Sequence, residues 1–74
     1  MSEPVPVWLH DESIRLGQFL KLANLIDSGS DARPLMIEGR VLVNGEVETR
    51  RGRQLRPGDV VELGGRRVVV SRRA

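Results

Sequence analysis

Three guanidinium groups crowd into four residues at Arg50-Arg51-Gly52-Arg53. Like charges that close repel unless water or an anion lies between them, and the planar guanidinium fork matches the oxygens of a phosphate. The cluster follows Asn44-Gly45, a strong two-residue hairpin turn, by way of Glu46-Val47-Glu48-Thr49. A short ordered loop carrying this much positive charge is a candidate phosphate-binding surface. The competing reading is that Glu46 and Glu48 neutralise it across the hairpin. Exposed pairs of that kind contribute only about 0–1 kcal/mol, so stability gives weak reason to place them there.

Other residues offer less. Ser28-Gly29-Ser30 precedes a second helical pattern, and a helix start presents unpaired N–H groups to an anion, with Arg33 about one turn in. An ordinary N-cap with a solvent-facing Arg explains the same residues. Lys21 is the only Lys and sits at the rim of a helix, where a solvated side chain is the default. His10-Asp11-Glu12 reads as polar residues ahead of a helix rather than as a metal or acid–base site. Asp59 serves a turn, Gly64-Gly65 is a hairpin rather than a phosphate-binding Gly loop, and the absence of Cys excludes disulfides and thiolate metal sites. No catalytic set, cofactor or metal is expected. Trp8 and Phe19 are the only aromatics, and both are expected to be structural, Trp8 covering one side of the core. Without an exposed aromatic platform, recognition of a nucleic acid would rest on phosphates, 2′-hydroxyls and shape rather than on stacked bases.

The elements that must position these residues are short. Seventy-four residues allow one domain with a small core. Pro4 and Pro6 keep an N-terminal arm, residues 1–12, extended, with a short edge strand at Val7-Trp8-Leu9. The arm lacks the basic and apolar regions of a signal peptide, and the apolar runs fall far short of a membrane span, so a soluble cytoplasmic protein is expected. Leu16, Phe19, Leu20 and Ala23 follow helical spacing within residues 16–26, and Ala32, Leu35, Met36 and Gly39 follow it again. Gly39 suits the left-handed residue that ends a helix. The second helix is expected to begin near Ser28 or Ser30: Pro34 is harmless in the first turn of a helix that starts at Ser30 or Asp31, whereas with a start at Ser28 it would remove a backbone bond and kink the helix. From Arg40 the period becomes two, with Val41 and Val43 on one face. Arg56-Pro57-Gly58-Asp59 has the residues of a type II turn, Val60 to Leu63 is a strand, and Arg66 to Val70 returns. Residues 71–74 form a basic tail. The class is α+β: two short helices packed on a small antiparallel β-sheet. Residues 1–38 hold three basic and six acidic groups, a balance of −3, and residues 39–74 hold nine Arg and four acidic groups, a balance of +5, which together give the net +2. This asymmetry predicts one basic face.

Ile14-Arg15-Leu16 leading into Phe19-Leu20, Ala32-Arg33, the run Glu38-Gly39-Arg40-Val41-Leu42-Val43-Asn44-Gly45 and the run Leu55-Arg56-Pro57-Gly58-Asp59-Val60-Val61 resemble the RNA-binding domain named after small-ribosomal-subunit protein four, the αL-type domain. The resemblance covers residues 13–70 and is closest to small stand-alone bacterial members. Pro34 departs from it, standing where members usually carry a good helix former. The resemblance implies an αL-type fold and an RNA face made by Lys21 on the first helix, Arg33 on the second, Arg40 and Asn44 on the first strand, and Arg50, Arg51 and Arg53 on the loop. The expected protein is a non-catalytic monomer that binds structured RNA, ribosomal RNA or ribosomal particles foremost. A module docking an acidic protein surface through the Arg loop and a nonspecific duplex-DNA binder are the alternatives.

Overall fold

The proline-constrained start of the chain is built into the sheet. The computed structural model describes residues 4–28 and 31–73. Its first strand, β1 (Val5–Leu9), pairs in parallel with the last, β7 (Arg66–Arg72), from Val5 opposite Val68 to Leu9 opposite Arg72. Pro6 has no N–H for a ladder, and an edge strand tolerates that. The other strands of this sheet are β3 (Val41–Val43), β4 (Glu46–Val47) and β6 (Val60–Leu63), in the order β1-β7-β6-β3-β4. All pairings but β1–β7 are antiparallel, so the sheet is mixed, where a purely antiparallel one was expected. Ser71 and Arg72, expected in a loose tail, complete β7. A second, two-stranded piece joins β2 (Ile14–Arg15) to β5 (Gln54–Leu55).

Helix α1 (Leu16–Leu22) is shorter than the apolar spacing to residue 26 suggested. Asn24 adopts the left-handed conformation, φ 59°. Its N–H donates to the Lys21 carbonyl at 3.1 Å, and the Leu25 N–H donates to the Leu20 carbonyl at 3.0 Å, the paired bonds that close a helix end. Leu25 and Ile26 still pack against the core, but from the connecting segment. Helix α2 (Ala32–Ile37) has Asp31 at its N-cap, which leaves Pro34 in the first turn as required. Gly39 ends it at φ 72° with the same pair of bonds, to Met36 and Leu35. Asn44-Gly45 joins β3 to β4 with positive φ at both residues, as a type I′ turn demands.

The α+β reading therefore holds. Leu16, Phe19 and Leu20 of α1 and Ala32 and Met36 of α2 meet Val41, Val43, Val61, Val68 and Val70 of the sheet in one buried cluster, with Leu55 from the small ribbon. Helices this short are marginal in isolation, so this packing is what holds them.

Candidate nucleic-acid interface

Helix α1 begins without a side-chain cap, and the Arg loop supplies what is missing. The Leu16 N–H donates to the Arg53 carbonyl at 2.8 Å and the Gly17 N–H to the Arg51 carbonyl at 3.0 Å. Two of the helix's orphan donors are thereby satisfied, and the loop is fastened to the start of α1. The loop is itself a tight turn, with the Arg53 N–H donating to the Arg50 carbonyl at 3.3 Å.

Glu48 organises the loop from beneath. It is buried, and its Oε2 accepts from the backbone N–H groups of Thr49 and Arg50 at 3.0 and 3.1 Å and from Arg50 Nε at 3.3 Å. Its Oε1 accepts from Arg53 Nη1 at 3.0 Å. Burial would raise this carboxyl above its ordinary value of 4.5. The hydrogen bonds from the Arg50 side chain and backbone and from the Arg53 side chain outweigh burial and hold it at about 2. Glu48 is thus the partner foreseen across the hairpin, whereas the exposed Glu46 takes no part. One carboxylate answers three guanidinium groups, and the loop keeps a net positive charge.

Arg51 is the guanidinium left over. With Arg15, Gly17, Gln18, Lys21 and Gly52 it lines an open groove of about 480 Å³. Arg15, Lys21 and Arg51 have no ion-pair partner among the described residues. The Leu16 and Gly17 N–H groups are already taken by loop carbonyls, and the cationic side chains of Arg15, Lys21 and Arg51 are what the groove offers an anion. Two of the lining residues, Arg15 and Gln18, were not foreseen. Their signal was present: residues 15, 18 and 21 run at i, i+3, i+6 along α1, beside the apolar stripe of Leu16, Phe19 and Leu20.

Residues 7–71 match the S4 domain family. The chain belongs to the S4 domain family. A relative from Bacillus subtilis (strain 168), named "Probable ribosome maturation protein RlbA", is 53% identical over 60 residues, covering 81% of this chain and 84% of the relative. The solution structure of YbcJ from E. coli, described as revealing an alfaL motif involved in RNA-binding, superposes with a TM-score of 0.70 at 33% identity, over 96% of this chain and 91% of that one. The family resemblance carried by the Gly39–Gly45 and Leu55–Val61 runs is borne out.

The remaining residues expected on the RNA face of this S4 domain are not gathered into the groove. Arg33 is exposed on α2, without an ion-pair partner among the described residues. Arg40 is exposed and stands 3.7 Å from Glu38. The Asn44 side chain is spent on the fold: Nδ2 donates to Asp59 Oδ1 at 3.1 Å, and Oδ1 accepts the Val60 N–H at 2.9 Å. Of the helix start at Ser28-Gly29-Ser30, Gly29 and Ser30 lie outside the described residues. Asp31, whose Oδ2 accepts the Ser28 N–H at 3.2 Å, already brings negative charge to that helix start. Trp8 departs furthest from expectation. It is 50% exposed, because Leu9 takes the inward position on β1 and alternation turns Trp8 outward. Among the described residues, no group of three or more His, Cys, Asp or Glu could hold a metal ion, and no helix is long and apolar enough to cross a membrane.

Proposed function

We propose that this S4 domain binds structured RNA without catalysing a reaction, and that the groove between α1 and the Arg loop grips the RNA backbone. One observation carries the reading: Arg15, Lys21 and Arg51 converge on a single open groove, and none of them has an ion-pair partner among the described residues. Arg50, still largely exposed beside Glu48, and Arg53 extend the positive surface along the loop. Arg33, Arg40 and Asn44 lie at its periphery, Asn44 through backbone and turn shape rather than a free side chain. The alfaL motif of YbcJ supports RNA as the polyanion. The name of the Bacillus relative supports ribosomal RNA, bound in the cytoplasm during ribosome maturation.

The test is fluorescence anisotropy with a folded ribosomal RNA fragment and a DNA duplex of matched length. Tighter binding to the RNA is expected, because an A-form helix offers 2′-hydroxyls in a wide minor groove. The variant Arg15→Ala/Lys21→Ala/Arg51→Ala should bind roughly tenfold or more weakly at moderate salt while keeping its melting temperature. Unchanged affinity in a folded variant rejects the groove. Equal affinity for DNA rejects the RNA reading.

A further inference from the structure

The outward side of β1 carries an aromatic that the core does not use. The Arg73 guanidinium lies over the Trp8 ring, 5.6 Å from its centroid, within the range of a cation–π contact. Trp8 remains 50% exposed with Arg73 in place, so the guanidinium does not seal the ring. The arrangement is built. The Arg73 N–H donates to the Leu9 carbonyl at 3.1 Å, the parallel β1–β7 register sets Trp8 opposite Ser71, and Arg72 reaches Glu12 at 3.9 Å. A half-exposed indole beside the Arg73 guanidinium has the chemistry of a stacking contact with a phosphate clamp.

We propose that Trp8 and Arg73 take an unpaired nucleotide of the bound RNA, its base on the exposed indole and its phosphate on the guanidinium. The proposal rests on the reading that this domain binds RNA and adds a second, base-contacting subsite to the backbone groove. The two are within reach of each other. Gln18 and Lys21 of the backbone groove also line a neighbouring groove with Asp11 and Ser13, and Asp11 stands three positions along the chain from Trp8. Arg15 lies seven positions after Trp8, a span of at most about 25 Å. Asp11 and Glu12 on that path disfavour a phosphate there, so the base and sugar face the protein until Arg73 meets the next phosphate. A protein that grips a helix in one place and a stacked base in the other selects a junction between paired and unpaired RNA.

Trp8 is the only Trp, so its fluorescence reports the subsite directly. The probes are a blunt RNA hairpin, the same hairpin with a short single-stranded adenine overhang, and a short oligoadenylate. The overhang and the oligoadenylate should quench Trp8, the blunt hairpin should not, and the overhang should tighten binding roughly 5- to 150-fold. Followed by labelled RNA, Trp8→Leu should bind both hairpins equally, and Arg73→Ala, which keeps the fluorophore, should weaken the overhang preference. The variant Arg15→Ala/Lys21→Ala/Arg51→Ala should lose affinity for the blunt hairpin but keep the quench by oligoadenylate. A wild-type protein that binds both hairpins equally without a quench overturns the subsite and leaves the groove reading standing. A quench by oligoadenylate with no binding to the blunt hairpin overturns the groove reading and keeps the subsite.

Discussion

Glu48 and Arg53 are joined by a 3.0 Å hydrogen bond from Arg53 Nη1 to Glu48 Oε1, and the Arg53 carbonyl in turn accepts the Leu16 N–H at 2.8 Å. A buried carboxylate is thereby connected through one Arg to the first turn of α1. The link makes the loop a fixed part of the helix start. Repulsion within the Arg cluster is offset by Glu48, and Arg51 is left lining the open groove. Charge and order come from the same four residues.

Glu48→Gln should destabilise the fold by about 1–3 kcal/mol, the range for hydrogen bonds to charged groups. The folded carboxyl titrates at about 2 and the unfolded one near 4.5, so the unfolded chain binds the extra proton between these values. Stability from Glu48 is therefore fully present above about 4.5 and is lost as pH falls through about 2. Urea unfolding across acidic pH should show that decline in the wild type and a flatter profile in Glu48→Gln. Identical profiles would mean that Glu48 does not carry the linkage.

Arg51 and Arg53 should separate cleanly. Arg51→Ala should leave stability within about 0.5 kcal/mol, because its side chain has no hydrogen-bond or ion-pair partner among the described residues. It should lower the slope of log K against log salt by roughly 0.9 if it meets a duplex-like phosphate. Arg53→Ala should cost about 1–3 kcal/mol of stability, since it strips a partner from a buried carboxylate. Denaturation and a salt titration on the same two variants check both statements, and matching behaviour of the two would contradict the division of labour.

Asn44 tests a role read first as RNA contact. Its side chain bridges to Asp59 and Val60, and its backbone sits at φ 54°, where Asn is better tolerated than most residues. Asn44→Ala should lose about 1–3 kcal/mol in a melt, with an unchanged salt slope for RNA. A lowered slope at full stability would return the side chain to the interface.

The sequence disclosed most of what local rules control. Gly39, Asn44-Gly45 and Pro57-Gly58 each need a backbone conformation that few residues adopt, and those positions are where the chain turns. The period-two run at Val41 and Val43 named the buried face of β3. What stayed hidden depends on partners far apart in the chain. That β1 runs parallel to β7 follows from where the two ends meet, and once Leu9 faces the core, Trp8 cannot. Helix α1 stops early because Asn24 closes it, although Leu25 and Ile26 prolong the apolar pattern. The Arg loop was legible as charge, but its docking on α1 was not, so Arg15 and Gln18 became part of a groove only through the bonds from Leu16 and Gly17 to the loop carbonyls.

Pro34 and Gly39 should differ in their response to Ala. Pro34 is the third residue of α2, where a backbone N–H has no partner within the helix, so the proline forfeits no bond. Pro34→Ala exchanges the proline's restraint on the unfolded chain, about 0.4–1 kcal/mol, against a better intrinsic helix former. The two effects oppose, and the net change should stay within about 1 kcal/mol. Gly39 sits at φ 72°, and a Cβ there would lie 3.6 Å from Val47 Cγ1, an ordinary contact. The penalty of Gly39→Ala is therefore conformational, about 1–2 kcal/mol, and is not a clash. Gly39→Asn should recover part of it, because Asn tolerates the left-handed region. Chemical denaturation of the three variants fixes the order. A Pro34→Ala gain well beyond about 1 kcal/mol would mean that α2 starts earlier than Asp31 and that Pro34 lies within its interior, where a proline costs about 3 kcal/mol.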